Sequence, residues 1–402
     1  MSKTKIRLRG GNFAVIIIVA LYAIWTLGRP LSFTAPIASP HLAKSPSVAS
    51  ELSWPSVGQA AVGITPSGVL ASHGEQTAIP IASTAKVLTA LSVLRKHPIA
   101  KGQTGPTITI SQDDVAIYNH YLSVDGSVAP VTAGAKFTEY QMLQAIMLPS
   151  ANNMADSLAI WAFGSLDAYA DFAGTLSQQL GMTHTRVGAD ASGYDPATVS
   201  TAHDLVLLGQ AAMGNPVLAE IAAQKSAVIP VAGTITNVNF LLGQDDIVGL
   251  KTGNTDQAGG VFLGVSKVTV KGTPLTIVSA VVGSNTLYDA LAFSVPLLKS
   301  TQNNFDTVTI LKAGSVVGSY TLPWGGVATA TTAHDLSVLA WKGADIPITV
   351  NLQPINTRTS QHDRVGTATI TASPYSGSTS TAVQLASTPA RPDAWWRLRH
   401  PL

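Results

Sequence analysis

Ser83 and Lys86 lie three positions apart in Pro80-Ile81-Ala82-Ser83-Thr84-Ala85-Lys86-Val87-Leu88-Thr89-Ala90-Leu91. Apolar Val87, Leu88, Leu91 and Leu94 recur at helical spacing and Pro98 closes the run, which predicts a helix opening at the serine. On a helix, positions i and i+3 share a face, so the Lys86 amine lies beside the Ser83 hydroxyl. A serine is a poor nucleophile until its proton is taken, and a neighbouring amine can take it if the amine is itself neutral. The free N–H groups of a helix start point at any developing oxyanion. Alone, Ser-x-x-Lys recurs by chance in long chains and reads as a capped surface helix.

Two further short patterns offer polar groups. Ser150-Ala151-Asn152-Asn153 joins one apolar helix (Met142, Leu143, Ile146, Met147, ended by Pro149) to another (Met154, Leu158, Ile160, Trp161). A short polar link between apolar helices can aim side chains into a cleft, although by local sequence Ser150 and Asn152 read as helix caps. Lys251-Thr252-Gly253 ends Ile247-Val248-Gly249-Leu250, beside a predicted hairpin of strands Val261–Val265 and Leu275–Val282 turned at Lys271-Gly272.

The elements around these patterns follow in order. Val57–Thr65, Pro66-Ser67-Gly68 and Val69–His73 read as strand, turn and strand, and Thr107–Ile110 as a strand. Asp113 to Thr132 reads as an irregular excursion. Thr138 and Gln141 form a capping box that starts a helix. Helices are expected over 167–180, ended by Gly181, over 201–213, ended by Gly214, and over 287–298. After Thr301 the texture changes to short β-type runs (Val308–Leu311, Val316–Leu322, Leu336–Trp341, Ile346–Leu352, Val365–Thr371), a small all-β domain of sandwich type.

The 402 residues carry only 11% charged side chains and 46% hydrophobic ones, enough for a sizeable core. Residues 1–50 hold six basic groups and no acid, so the remainder has 18 basic against 22 acidic groups, a net −4 that argues against a nucleic-acid partner for the folded part. There is no cysteine, and the nine histidines form no HxxxH pattern or His–carboxylate cluster, so no metal or cofactor site is expected. Between Arg9 and Arg29 run 19 uncharged residues, with Phe13–Leu27 strongly apolar. That is close to a bilayer span, lacks a small-x-small cleavage site and follows a basic leader, so it reads as a membrane anchor with the rest of the chain outside the cytoplasm; a cleaved signal is the alternative. The expected division is an anchor (or signal) over 1–29, a Pro/Ser/Ala-rich linker over 30–52, a catalytic domain over 53–300, the β-rich domain over 301–372, and a Ser/Thr/Pro-rich tail over 373–402 ending in Trp395-Trp396-Arg397-Leu398-Arg399.

Ser83-x-x-Lys86, Ser150-x-Asn152 and Lys251-Thr252-Gly253 stand in the order shared by penicillin-binding proteins and class A β-lactamases. With Gly249 to Thr255, Gly181-Met182-Thr183-His184-Thr185 and Ser200-Thr201-Ala202-His203-Asp204-Leu205, the chain resembles the serine D-alanyl-D-alanine carboxypeptidases, the low-molecular-mass penicillin-binding proteins, from about Ser53 to Lys299. Phe305-Asp306-Thr307-Val308 and His362-Asp363-Arg364-Val365-Gly366 look like that family's β-rich stalk. The resemblance implies an α/β (α+β) transpeptidase/β-lactamase-like domain, an antiparallel sheet flanked by helices, ahead of the β domain. It further implies that Ser83 attacks the terminal D-Ala-D-Ala carbonyl of a peptidoglycan stem peptide, with Lys86 as base and Ser150 relaying a proton. Asn152 would bind the substrate amide, Lys251 and Thr252 its carboxylate, Gly253 would leave room for the extended peptide, and the N–H groups of Ser83 and Asn254 would form an oxyanion hole. β-Lactam antibiotics would acylate the same serine. Some relatives carry an arginine before Lys-Thr-Gly; Asn237-Val238-Asn239 supplies none here. A D,D-endopeptidase would share all of this, whereas a class A-like β-lactamase needs a deacylating glutamate. Between Asn153 and Lys251 the sole glutamate is Glu220, outside a Glu-x-x-Leu-Asn setting, and Asp190 and Asp195 read as loop-turn residues.

Overall fold

The computed structural model describes residues 5–29, 31, 34–38, 42–44, 51–373 and 377–400. It forms two compact units, one of Met1–Val48 with Thr307–Leu402 and one of Ala49–Asp306. The first described element is helix α1 (Lys5–Gly28). Its apolar part is Phe13–Gly28, and among the described residues no single helix is long and apolar enough to cross a membrane.

The unit of Ala49–Asp306 is built on a five-stranded antiparallel sheet. In chain order the strands are β1 (Gln59–Thr65), β2 (Gly68–His73), β3 (Ile247–Thr255), β4 (Gly259–Val270) and β5 (Thr273–Ser284), and their spatial order is β3-β4-β5-β1-β2. The β4–β5 hairpin turns on Lys271 and Gly272, both at positive φ (49° and 82°), the geometry that matches a two-residue turn to strand twist. Helices α7 (Ala202–Gly214) and α9 (Leu287–Asn303) flank the sheet. A Cβ on Gly209 of α7 would lie 2.7 Å from Val278 Cγ1, so a glycine is what lets that helix sit close on β5.

Beside the sheet lies a helical layer: α2 (Ala85–Lys96), α3 (Gln112–Ser123), α4 (Glu139–Met147), α5 (Asn152–Phe163), α6 (Leu166–Gln179) and α8 (Pro216–Ala222). Every residue of α2 from Ala85 to Leu94 is buried, as expected for a helix surrounded by α4, α5, α6 and α7. The helix starts at Ala85, two residues later than expected, because Ala82–Thr84 form a 3₁₀ turn that carries Ser83. The first part of the expected irregular excursion from Asp113 to Thr132 is instead α3, capped by a reciprocal Ser111–Asp114 box, while residues 124–132 are irregular as expected. Only Tyr121 of α3 is buried, so its apolar stripe is too thin to register as a period.

The other unit is a two-layer β structure. Strands β7 (Val316–Thr321), β8 (Val327–Thr332), β10 (Asp345–Leu352), β11 (Arg364–Ser373) and β12 (Gly377–Leu385) form an antiparallel sheet in the order β7-β8-β12-β11-β10, edged by the short strands Ile37–Ala38 on β7 and Leu42–Lys44 on β10. A pair, β6 (Phe305–Leu311) and β9 (Leu336–Trp341), packs against it through β9. Two compositional readings change here. Parts of the expected 30–52 linker pair into the sheet, and the Ser/Thr-rich stretch after 373 supplies β12, where buried Thr381, Val383 and Leu385 alternate with half-buried Ala382 and Gln384. Helix α10 (Ala394–Arg399) follows.

Candidate active site

Ser83 reaches its position on a strained turn. Ala82 sits at φ 46°, a left-handed conformation that costs a non-glycine residue of order 1–2 kcal/mol. Strand β3 passes directly beside it. A Cβ on Gly253 would lie 3.0 Å from Ile81 O and 3.2 Å from Ser83 N, so this glycine lets the strand pass close against the turn that carries the serine, a role in addition to leaving room for a substrate. From the other side, a Cβ on Gly193 (φ 73°) would lie 2.2 Å from Ala82 O, so the loop of residues 190–195 also presses on the turn.

Lys86 is fully buried one turn along, and its Nζ has three partners: Ser83 Oγ at 2.7 Å, Asn152 Oδ1 at 2.7 Å and Ser192 O at 2.9 Å. Two of these are carbonyl oxygens, which only accept; the hydroxyl can donate. A neutral amine, with two N–H groups and one lone pair, satisfies the set completely, with the lone pair facing the Ser83 proton. Burial brings Lys86 down to about 7, against the opposing pull of the Asp190 and Asp156 carboxylates.

Ser150 and Asn152 are not caps. The N-cap of α5 is Ala151, whose side chain makes no capping bond. Ser150, held at φ 68°, instead accepts a hydrogen bond from the buried Lys251 Nζ at 2.9 Å. Lys251 also donates to Thr252 O at 3.0 Å, and burial, helped by the Lys86 charge, holds its amine well below the usual lysine range. The eight sequence-derived residues therefore fall together: Ser83, Lys86 and Asn152 in one hydrogen-bonded group, Ser150 and Lys251 in a second, Thr252 and Gly253 on the same strand. Asn254 lines, with Ser83 and Asn152, a cleft of about 510 Å³.

Sequence reasoning missed the back wall of this site. Asp156, one turn beyond Asn152 on α5, accepts from Tyr121 Oη at 2.7 Å and from Ala191 N at 2.8 Å. Asp190 closes the same loop by accepting from the N–H groups of Ser192, Gly193, Tyr194 and Asp195. Together they hold the Ser192 carbonyl on Lys86. Asp195 bonds Ala189 N and Ala197 N, as its loop-turn reading expects. Glu220 accepts from Tyr140 Oη at 2.8 Å, between α4 and α8. Among the described residues no three histidine, aspartate or glutamate side chains gather to hold a metal ion.

The model of the peptidase S11 family, D-alanyl-D-alanine carboxypeptidase, matches residues 58–286. The chain belongs to this family. Curated relatives include the D-alanyl-D-alanine carboxypeptidase DacB2 of Mycobacterium tuberculosis, 32% identical over 209 residues (49% of this chain, 66% of the relative). The D-alanyl-D-alanine carboxypeptidase DacA of Escherichia coli is 28% identical over 277 residues (67% of this chain, 66% of the relative). The alignments thus span just under two thirds of these relatives. The fold is that of the penicillin-binding proteins: the crystal structure of a peptidoglycan synthesis regulatory factor, PBP3, from Streptococcus pneumoniae superposes with a TM-score of 0.59 at 18% identity, over 85% of this chain and 100% of that one. The DD-transpeptidase of Streptomyces K15 gives 0.54 at 22% identity, over 63% and 98%.

Proposed function

We propose that the protein is a serine D-alanyl-D-alanine carboxypeptidase that trims the terminal D-alanine from peptidoglycan stem pentapeptides. The observation that carries this reading is the Lys86 amine, buried, lowered to about 7 and 2.7 Å from Ser83 Oγ. In the proposed reaction Ser83 Oγ passes its proton to Lys86 and attacks the penultimate D-alanine carbonyl. The C–N bond breaks, Ser150 relays a proton to the leaving D-alanine amine, and water later releases the acyl group from Ser83. Asn152 orients the substrate amide. Lys251 and Thr252 take the terminal carboxylate, whose charge restores the favour of the ammonium form that burial removes from Lys251. The N–H groups of Ser83 and Asn254 serve the oxyanion, and β-lactams acylate the same serine. The Phe13–Gly28 helix anchors the chain in the cell membrane, with the basic leader inside and the residues from Ala49 onward on the wall side.

The test is digestion of purified pentapeptide muropeptides by the full chain. Free D-alanine and tetrapeptide product, absent with Ser83→Ala, are expected; cleavage of crosslinked dimers with no D-alanine release from monomers would instead assign an endopeptidase, the activity named for a Pseudomonas aeruginosa relative 29% identical over 218 residues.

A further inference from the structure

Helix α10 packs on the C-terminal end of α1. Tyr22 Oη donates to Leu398 O at 2.7 Å, and Arg397 Nη1 caps the helix end by donating to Leu27 O (3.0 Å) and Arg29 O (3.1 Å). These contacts close one side of a cavity of about 460 Å³ whose wall carries Arg29, Arg358 and Arg397, the polar Asn356, and the apolar Leu27 and Leu31. None of the lining residues is acidic. The nearby Asp393 is spent on capping α10 through Trp396 N at 2.7 Å. One Arg29 Nη donates to His400 O, but among the described residues its Nε is buried without a partner. A buried N–H on a guanidinium, beside two more arginines and no carboxylate among the described lining residues, is a donor suited to an oxyanion.

Position narrows the source of that oxyanion. Arg29 follows the apolar Phe13–Gly28 directly. Trp25 and Trp395 are more than half exposed at the same end, each under a guanidinium (Arg29 at 5.5 Å, Arg399 at 4.3 Å). Aromatic rings beside basic groups at the end of an apolar helix mark the depth of lipid headgroups. We propose that this cavity binds the phosphate of an anionic phospholipid headgroup in the outer leaflet, with Leu27 and Leu31 against the glycerol end. The shared chemistry is a phosphate oxyanion, and placement favours the lipid over free phosphate. The proposal rests on the membrane anchoring proposed above.

The full chain, reconstituted in nanodiscs of phosphatidylglycerol or of phosphatidylcholine and then released into detergent, is analysed by native mass spectrometry. Wild type is expected to retain one phosphatidylglycerol, at least tenfold more than phosphatidylcholine, and Arg29→Gln/Arg358→Gln to lose that retention. Arg358→Gln alone, which touches no helix cap, serves if the double variant does not fold; penicillin labelling at the wild-type rate certifies folding in each. Equal retention by wild type and variants overturns the proposal. Displacement of phosphatidylglycerol by millimolar inorganic phosphate assigns the cavity to a soluble anion and overturns the lipid. Carbonate extraction reads the anchor separately. Protein in the pellet without retained lipid refutes the cavity alone, and wild-type protein in the supernatant refutes the anchoring and the lipid site together.

Discussion

Asp156 and Tyr121, on neighbouring helices α5 and α3, share a buried hydrogen bond of 2.7 Å directly behind Lys86. Burial raises the Asp156 carboxyl to about 6, with its bonds from Tyr121 and Ala191 working the other way, so it is mostly ionised at neutral pH and draws Lys86 towards the ammonium form. Asp156→Asn removes the charge and keeps the shape. We expect the pH at which acylation by a fluorescent penicillin reaches half its maximum to move downwards, with the plateau rate within about an order of magnitude of wild type. Tyr121→Phe keeps the charge and loses one bond, at about 1 kcal/mol, and should leave the midpoint near its wild-type value. A midpoint unmoved in both variants would show that Asp156 acts through packing alone.

For the wild type, the working form of Lys86 is the neutral amine, which is populated above its pKa. Acylation should therefore rise with pH through about 7 and then level. The groups that face this amine are Asp156, Asp190 and the second lysine, Lys251. Lys86→Met should lower the acylation rate by a factor of about 10³ or more while the chain stays folded. A flat rate–pH profile between 5 and 9 would remove Lys86 from the role of base.

Two glycines test how tightly the serine turn is held. Gly253→Ala places a Cβ 3.0 Å from Ile81 O, so the turn must give by a few tenths of an ångström. Misplacing the nucleophile on that scale should cost about tenfold in acylation with little change in melting temperature. Gly193→Ala meets Ala82 O at 2.2 Å and needs a left-handed alanine, so it should also cost at least about 1–2 kcal/mol of stability. Thermal unfolding beside stopped-flow labelling separates the two; equal losses of stability would contradict the geometry.

The penicilloyl adduct should persist for minutes or longer. Glu220, the glutamate available between the second and third motifs, is tied to Tyr140 between α4 and α8, and Asp190 and Asp195 are committed to loop N–H groups. Glu220→Gln should accordingly leave the adduct lifetime unchanged within about twofold by intact-mass spectrometry. Rapid loss of the wild-type adduct that this substitution abolishes would place the protein with the β-lactamases.

The site was legible where it is made of side chains at short spacing. Ser83 and Lys86 are neighbours because one helical turn makes them so, and the hairpin at Lys271-Gly272 announces β4 and β5. Ser150 and Asn152 were ambiguous, since a polar pair before a helix is usually a cap; only the tertiary approach of two lysines gives them other partners. The Ser192 carbonyl could not be read at all, because every residue has one and its aim depends on Asp156 and Asp190. Helix α3 was missed although its Ser111–Asp114 box was in plain view, because its exposed surface blurs the period. Strand β12 hid behind serines and threonines, whose composition suggests a linker but whose alternating burial is that of a strand.

The partners of Lys86 have one more implication, for the cost of moving the proton. Before transfer the amine gives two hydrogens to Asn152 Oδ1 and Ser192 O and receives the third from Ser83; afterwards it holds all three, still aimed at the same three oxygens. The proton crosses about one ångström and no heavy atom has to follow it. Reorganisation of the surroundings, which in water supplies much of the barrier to such a transfer, has been completed during folding. The left-handed residues at Ala82 and Ser150 are where the chain keeps that prior work, as backbone strain.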